Sequence, residues 1–161
     1  MGQEIERKYR VTSDAWRRQA HKVERMRQGY LADLDAPGAR SSVRVRIGEG
    51  RAHLNIKSAT LGVERREYEY PLPLEDAQRM LDELCVGALI EKNRHYVKHE
   101  GLLWEVDEFL GDNAGLVVAE VELESAAQRP PLPDWVGEEV SEEARYFNAM
   151  LVKHPYKDWP R

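Results

Sequence analysis

Cysteine and long apolar runs are nearly absent from the sequence. The chain of 161 residues has one cysteine, Cys85, which excludes an intrachain disulfide and a cluster of thiolate metal ligands. No run of about 18 apolar residues occurs, so we predict no membrane-spanning helix. The first residues are charged rather than apolar, which argues against a signal peptide. These features favour a cytoplasmic protein.

An excess of positive charge is also missing. Lys and Arg number 24, Asp and Glu number 29, and the net charge is −5. Without an overall basic field we expect no nucleic acid partner, and we also expect no membrane partner. Anion binding would therefore need a local basic cluster. A length of 161 residues is enough to bury a core without disulfides, and we predict a single domain over residues 1–161.

What the sequence does have is charge that alternates with apolar residues at the period of a β-strand. Gly48-Glu49-Gly50 and His99-Glu100-Gly101 are typical of hairpin turns, which predicts an antiparallel sheet. Eight strands are enough to close such a sheet into a barrel. The predicted strands are 3–11, 23–34, 41–47, 51–57, 63–70, 88–98, 102–109 and 116–124.

Two or three helices are also predicted. A short one spans 14–21, the clearest spans 75–84 with an apolar stripe, and a last one begins at a Ser141 cap and runs to about Lys153. If the two longer helices cover the apolar outer face of the sheet, its charged face must line the interior. The predicted fold class is α+β, mainly β: an eight-stranded antiparallel β-barrel with flanking helices on the outside.

The charged faces of these strands carry both signs. A half-exposed sheet would also alternate, and this simpler interpretation explains any single strand. An interior that holds so many ions needs pairing and water, so it is better interpreted as a binding site. Both signs together suit a polyphosphate escorted by divalent cations such as Mg²⁺. The charged residues on these faces are Glu4, Glu6, Lys8, Arg44, Arg46, Lys57, Glu67, Glu69, Lys92, Arg94, Glu105, Asp107, Glu120 and Glu122.

The first strand contains Glu4-Ile5-Glu6-Arg7-Lys8, which resembles the ExExK signature of the CYTH superfamily, the triphosphate tunnel metalloenzymes. Further segments resemble that family in its own order over nearly the whole chain. The short length looks most like the small bacterial members that hydrolyse inorganic triphosphate. The further segments are Gln28-Gly29-Tyr30-Leu31, Val43-Arg44-Val45-Arg46, Leu54-Asn55-Ile56-Lys57, Arg66-Glu67-Tyr68-Glu69, Glu91-Lys92-Asn93-Arg94, Glu105-Val106-Asp107, Glu120-Val121-Glu122, Glu139-Val140-Ser141 and Arg145-Tyr146.

The resemblance implies an eight-stranded antiparallel tunnel that hydrolyses inorganic triphosphate to pyrophosphate and phosphate with Mg²⁺ or Mn²⁺. It implies a catalytic pair, Tyr30 and Lys57, and either could transfer a proton in a site rich in cations. The implied metal-binding acids are Glu4, Glu6, Glu120 and Glu122, with Asp107 and Glu69 as direct or water-mediated ligands. The implied phosphate-binding residues are Lys8, Arg44, Arg46, Lys92 and Arg94.

Several alternatives stay open at this point. Thiamine triphosphate and nucleoside triphosphates are rival substrates, and both monomer and homodimer are possible. A CYTH-type adenylyl cyclase is disfavoured because Met1-Gly2-Gln3 stands where that branch often has His-Phe. Ala144 stands where some relatives have a lysine, which leaves one peripheral phosphate contact of the family without its usual residue unless Arg145 supplies it. A non-catalytic module that binds polyphosphate or nucleotide would have no use for four glutamates facing its ligand.

Overall fold

The chain is arranged around one curled antiparallel β-sheet. The computed structural model describes residues 2–160, and Met1 and Arg161, the ends of the predicted domain, lie outside them. The strands are β1 (Glu4–Val11), β2 (Lys22–Tyr30), β3 (Ser41–Gly48), β4 (Arg51–Ser58), β5 (Glu64–Arg65), β6 (Glu67–Leu72), β7 (Val86–His99), β8 (Leu102–Phe109), β9 (Val117–Glu122) and β10 (Val136–Glu139).

The helices are short. They are α1 (Trp16–Gln19), α2 (Leu74–Glu83) and α3 (Asn148–Leu151), with 3₁₀ turns at Gly111–Asn113, Ala144–Tyr146 and Tyr156–Asp158. None in residues 2–160 is long and apolar enough to cross a membrane.

The strand order turns the sheet into a tunnel wall. Neighbouring strands run in the order β10-β1-β9-β8-β7-β2-β3-β4-β6. At the far side, β5 pairs back with β1 through Glu4 opposite Arg65 and Ile5 opposite Glu64. This short pairing, here called the β1–β5 seam, brings the two sides of the sheet together. The prediction of a mainly β, barrel-like antiparallel sheet is confirmed. Counted from β1 along the strand order, β6 is the eighth strand of the wall, and β5 shares this position.

The two predicted hairpin turns hold the register of the wall. Glu49 and Gly50 have φ of 52° and 72°, and Glu100 and Gly101 have φ of 46° and 80°. Two consecutive residues of positive φ are the type I′ geometry, whose twist matches that of the flanking strands. The turns therefore set which side chains of β3, β4, β7 and β8 face inward.

One predicted strand is in fact two. The prediction of a single strand over 63–70 is wrong, because the chain changes partner within it. β5 pairs with β1, whereas β6 pairs with β4. The predicted strand 23–34 ends earlier, at Tyr30, and the four-residue strand β10 was not predicted. Pairing partners are long-range properties, so strand periodicity alone does not reveal such changes.

The outer face of the sheet carries two apolar clusters. Trp16 of α1 and Trp135, which immediately precedes β10, pack with Trp104 over β1, β7, β8 and β9. On the other side, Ala77 and Leu81 of α2 pack on β3 and β4. Glu75 and Asp76 in the first turn of α2 complement the positive helix N-terminus. The prediction that this helix covers the outer face is therefore correct.

The predicted last helix over 141–153 is wrong. The chain forms a 3₁₀ turn and the four-residue α3 instead, within what we call the C-terminal segment, residues 140–160. Ser141 does not cap a helix. Its Oγ accepts a hydrogen bond from the amide of Lys8 at 2.9 Å and donates to Glu139 at 2.7 Å. The serine thus ties the C-terminal segment to β1.

The C-terminal segment also packs inside the sheet rather than outside it. Ile90 and Val118 share the inner face with Lys92 and Glu120, because side chains two apart on a strand point the same way. Leu151 packs against this apolar part of the inner face. The segment therefore fills the interior beside β7, β8 and β9 with an apolar core. The other members of this core are Phe109, Leu116, Val140, Tyr146 and Trp159.

We expect Leu151→Ala to lower the free energy of unfolding by about 2–5 kcal/mol, since it opens a cavity in this inner core. Leu151 is 1% exposed. The matched control is Leu132→Ala, which removes a side chain that is 50% exposed and should cost less than about 0.5 kcal/mol. Urea denaturation followed by tryptophan fluorescence measures both. Equal effects of the two substitutions would contradict the inner packing of the segment.

Candidate active site

A cavity of about 490 Å³ lies inside the curled sheet. Its lining comes from the inner faces of the strands and from the C-terminal segment. Every predicted site residue except Asp107 lines it. These residues are Glu4, Glu6, Lys8, Tyr30, Arg44, Arg46, Lys57, Glu69, Lys92, Arg94, Glu120 and Glu122.

Three carboxylates meet on one side of the cavity. Oxygen atoms of Glu6, Glu105 and Glu120 all lie within 4.8 Å of one another. The sheet register explains the cluster, since Glu105 of β8 stands directly opposite Glu120 of β9. Carboxylate oxygens are the ligands that hard divalent cations take. The donor set therefore fits a metal ion such as Mg²⁺ or Mn²⁺.

The ionisation of these acids depends on their neighbours. Burial, together with the nearby charges of Glu120 and Glu4, raises the pKa of Glu6 well above its ordinary value. Burial also disfavours the ionised form of Glu120, but the cations around it, chiefly Lys8 and Arg94, outweigh burial and hold its pKa well below the ordinary value. Without a cation, one acid of this pair tends to keep its proton while the other stays ionised.

Asp107 of β8 holds two cations of the neighbouring strand β7. Its carboxylate, 0% exposed, accepts hydrogen bonds at 2.8 Å from Lys92 Nζ and from Arg94 Nε and Nη2. Burial raises the pKa of Asp107, but Arg94 and Lys92 lower it more, to about 2. Both oxygens are thus committed to cations. This geometry favours Asp107 as a residue that positions Lys92 and Arg94 rather than as a metal ligand.

Lys92 and Arg94 of β7, together with Arg44 and Arg46 of β3, form what we call the basic wall of the cavity. Burial, with Arg44 and Arg94 nearby, lowers the pKa of Arg46 to about 10. Burial likewise lowers the pKa of Lys92 to about 7. The Nε of Arg44 is buried without a hydrogen-bond partner among residues 2–160. Crowded cations with an unsatisfied donor are the arrangement that an anion would stabilise.

Tyr30 and Lys57 line the cavity but are not adjacent. Tyr30 of β2 stands opposite Arg44 of β3, and Lys57 of β4 stands opposite Ser42 of β3. Two strand spacings, about 10 Å, therefore separate β2 from β4. The ammonium of Lys57 lies 3.1 Å from Glu4 and 3.5 Å from Glu67. The expectation that Lys57 lies among cations is thus wrong: acids of the neighbouring strands surround it.

The other predicted acids flank the carboxylate cluster. Glu4 also lies 3.7 Å from Arg65 across the β1–β5 seam. Glu122 is more exposed, and burial with the charges of Glu4 and Glu105 raises its pKa. Glu69 accepts a hydrogen bond from Asn55 at 2.6 Å on the far wall. Of the predicted metal ligands, Glu6 and Glu120 belong to the three-carboxylate cluster.

Sequence reasoning missed several residues of this site. Because Glu105 lies two residues before Asp107 on the same strand, the sequence predicts that its side chain points inward. It does not predict that Glu105 stands opposite Glu120. Arg65 likewise lies two residues before Glu67 on the predicted strand 63–70, which predicts that it points to the same side as Glu67. The cation of Arg65 lies 5.0 Å from the ring centre of Phe147, which belongs to the C-terminal segment. No sequence signal placed that segment inside the tunnel.

A family model described as the CYTH domain matches residues 2–156. The chain belongs to the CYTH family. The match includes every residue that lines the cavity, from Glu4 to Met150. It confirms the resemblance that the sequence motifs indicated.

Two relatives of this CYTH chain are named inorganic triphosphatase. One, from Acetivibrio thermocellus, is 45% identical over 160 residues, which is 99% of each chain. The other, from Nitrosomonas europaea, is 36% identical over 154 residues, 92% of this chain and 96% of the relative. The crystal structure of an inorganic triphosphatase matches with a TM-score of 0.63 and 35% identity, over 92% of this chain and 97% of that one. These likenesses extend over nearly the full length of the fold.

Glu6→Gln and Glu120→Gln should change the stability of the metal-free protein in opposite directions. The raised pKa of Glu6 means that wild type loses stability as pH rises from about 4.5 through that pKa, and glutamine removes the loss. The lowered pKa of Glu120 means that its carboxylate contributes stability above about 4.5, which glutamine forfeits. Thermal melts in EDTA at pH 8 should give a higher Tm for Glu6→Gln and a lower Tm for Glu120→Gln.

Each kcal/mol should appear as about 2–4 °C in these melts. At pH 4 the gain for Glu6→Gln should vanish, because Glu6 is then largely protonated whether the chain is folded or unfolded. A lower Tm for Glu6→Gln at pH 8 would contradict the assignment of its pKa.

Proposed function

We propose that this CYTH protein hydrolyses inorganic triphosphate to pyrophosphate and phosphate inside the tunnel, with the help of a divalent metal ion. One observation carries the proposal: a carboxylate cluster and a wall of cations face the same cavity. Acids alone would bind a cation, and bases alone would bind an anion. A polyphosphate bound together with a metal ion satisfies both sides. The likeness to named inorganic triphosphatases over 99% of the chain supports this assignment.

We propose that Glu6, Glu105 and Glu120 hold the ion, with Glu4 and Glu122 beside them and Glu69 on the far wall. Mg²⁺ and Mn²⁺ suit this all-oxygen set, and Mg²⁺ in particular is held in proteins by a few carboxylates together with phosphate oxygens. When bound, the cation supplies positive charge to phosphate oxygens and activates water for attack. The carboxylate of Glu4 is already shared with Lys57 at 3.1 Å, which suits it to a flanking role.

The basic wall binds the phosphates. Arg44 and Arg46 present guanidinium groups, which can grip phosphate oxygens with two parallel hydrogen bonds. Arg94, whose nitrogens are held by Asp107 and Glu105, adds fixed positive charge beside them. Lys92 and Lys8 add ammonium groups, and Lys8 is itself paired with Glu120 at 3.3 Å. Fixed cations of this kind stabilise charge that develops on the transferred phosphoryl group and on the leaving pyrophosphate.

Of the pair Tyr30 and Lys57, Tyr30 is the proposed residue for proton transfer. The buried hydroxyl of Tyr30 lies 3.5 Å from the side-chain amide nitrogen of Gln28 and borders the cavity. The acids around Lys57 keep its ammonium in place. Tyr30 therefore suits movement of a proton, and Lys57 suits orientation of Glu4.

The lining favours inorganic triphosphate over thiamine or nucleoside triphosphates. An organic group would gain most from an aromatic face on which to stack. Among the described residues that line the cavity, the aromatic ones are Tyr30 and Phe147. The ring of Phe147 already lies 5.1 Å from the ammonium of Lys8 and 5.0 Å from Arg65. The cavity offers a base or a thiazolium little to bind.

We further propose that residues 1–161 form a single CYTH domain of a cytoplasmic protein.

A substrate panel tests the proposed reaction. Inorganic triphosphate, thiamine triphosphate, ATP and GTP are supplied at equal concentration with Mg²⁺ or with Mn²⁺, and released phosphate is measured with malachite green. We expect inorganic triphosphate to give the highest kcat/KM, because charged groups of both signs face the cavity and few aromatic rings do. A ranking with inorganic triphosphate last would overturn the proposal. Binding of triphosphate without turnover under either metal would instead favour a non-catalytic binding module.

Glu105→Gln tests the proposed metal ligand that the sequence motifs did not indicate. We expect kcat for inorganic triphosphate to fall about 100-fold or more, because the metal loses a charged ligand. Raising the Mn²⁺ concentration should recover part of the activity. Glu91→Gln is the matched control: Glu91 pairs with Arg25 at 3.2 Å on the outer face and should be dispensable. Wild-type kcat in Glu105→Gln would remove Glu105 from the site.

A further inference from the structure

Two buried amides connect the cations of the basic wall. Gln28 of β2 is 0% exposed, and Asn148 of the C-terminal segment is 8% exposed. Their side chains meet where Gln28 Nε2 donates to Asn148 Oδ1 at 3.0 Å. Neither residue carries charge, and neither belongs to the metal cluster. Each nevertheless bonds to a phosphate-binding cation.

Asn148 fixes the ammonium of Lys92. Asn148 Oδ1 accepts a hydrogen bond from Lys92 Nζ at 2.9 Å, and Asp107 accepts a second from the same nitrogen at 2.8 Å. An ammonium has three donors. With two of them held by buried acceptors, the third is left for the cavity that Lys92 lines. The asparagine thus selects the direction in which Lys92 offers its remaining proton.

Gln28 fixes the guanidinium of Arg46. Gln28 Oε1 accepts from Arg46 Nε at 3.0 Å. This contact occupies the inner nitrogen and leaves the two terminal nitrogens for a ligand. The amide of Gln28 can have only one orientation, because a flip would set two donors against each other at Arg46 and two acceptors against each other at Asn148. One buried amide therefore aligns Arg46 and, through Asn148, Lys92.

We propose that Gln28 and Asn148 are a positioning pair that holds Arg46 and Lys92 in the geometry that binds phosphate. The inference rests on the proposed function, since it assigns a role within the same triphosphate site. Gln28 does not line the cavity, so it acts through its neighbours and not on the substrate. The pair also explains why the C-terminal segment enters the tunnel: it delivers the acceptor that Lys92 needs.

The pair is tested with Gln28→Met, Asn148→Leu and the double variant, which keep side-chain size but remove the hydrogen bonds. We expect each single change to raise KM for inorganic triphosphate about tenfold and to lower kcat less than threefold. The double variant should raise KM by less than the product of the two single effects, because both changes remove the shared Gln28–Asn148 hydrogen bond. Calorimetric binding of inorganic triphosphate in EDTA should weaken in parallel.

Val97→Ala is the control for a purely structural effect. Val97 is fully buried in the outer-face core and lies on the face of β7 opposite to Lys92, so Val97→Ala should lower Tm and leave KM unchanged. If Gln28→Met and Asn148→Leu behave like Val97→Ala, the positioning role is overturned. Multiplied effects in the double variant would overturn it as well, since the two residues would then act independently.

Gln28→Glu is the alternative test if Gln28→Met and Asn148→Leu do not fold. It keeps the shape and an acceptor for Arg46, but sets a carboxylate oxygen against Asn148 Oδ1. We expect a similar rise in KM with a smaller loss of Tm, and an unchanged KM would overturn the proposal. Failure of wild type to hydrolyse triphosphate would reject the proposed function instead. The binding measurement in EDTA then still decides the role of the pair, because it compares variants with wild type without turnover.

Discussion

The site depends on one buried arrangement of charge, the carboxylate of Asp107 between Lys92 and Arg94. Ions removed from water are costly, and this cost is offset here by three hydrogen bonds of 2.8 Å. Two cations against one anion leave a surplus of positive charge on the basic wall. The same wall contains Arg44, whose buried Nε has no partner among the described residues. The carboxylate cluster of Glu6, Glu105 and Glu120 lies beside it, with Arg94 3.3 Å from Glu105 and 3.8 Å from Glu120.

The sheet separates the two signs of charge only in part. The carboxylates of the cluster are on β1, β8 and β9, whereas the phosphate-binding cations other than Lys8 are on β3 and β7. Where the two groups meet they form ion pairs: Lys8 lies 3.3 Å from Glu120, and Arg94 lies 3.3 Å from Glu105. In the strand order β3 lies three strands away from β8, so Arg44 and Arg46 are kept away from the cluster. The two type I′ turns fix this register and so determine which charges face each other.

Features that follow from local chemistry could be predicted from the sequence. The strands, both hairpin turns and α2 depend on period-two charge, on glycine at positive φ and on a 3.6-residue apolar stripe. Most site residues followed from the same period, together with the family signature at Glu4 and Glu6. Features that depend on distant pairing could not be predicted. Glu105 joins Glu6 only because β8 and β1 flank β9, and the chain changes partner between β5 and β6 only because β1 lies beside it.

The C-terminal segment shows the same limit. Short 3₁₀ and helical turns have no periodic signal, so Ser141 looked like a cap and the apolar residues after it like an outer helix. Their true environment is an apolar patch on the inner face that exists only once the sheet has curled. The surroundings of Lys57 were misjudged for a related reason. Its acidic neighbours Glu4 and Glu67 are on other strands, and no property of the segment around Lys57 indicates them.

The pairing of β1 with β9 determines when a newly made chain can first assemble the carboxylate cluster. Glu6 leaves the ribosome about 100 residues before Glu105, and Glu120 and Asn148 follow later. At ordinary rates of translation, β1 waits on the order of ten seconds for its partner β9. The charges of Glu4, Glu6 and Lys8 meanwhile discourage this unpaired strand from pairing with other chains. Side chains that line the cavity of the folded protein would thus reduce aggregation of the nascent polypeptide before the cavity exists.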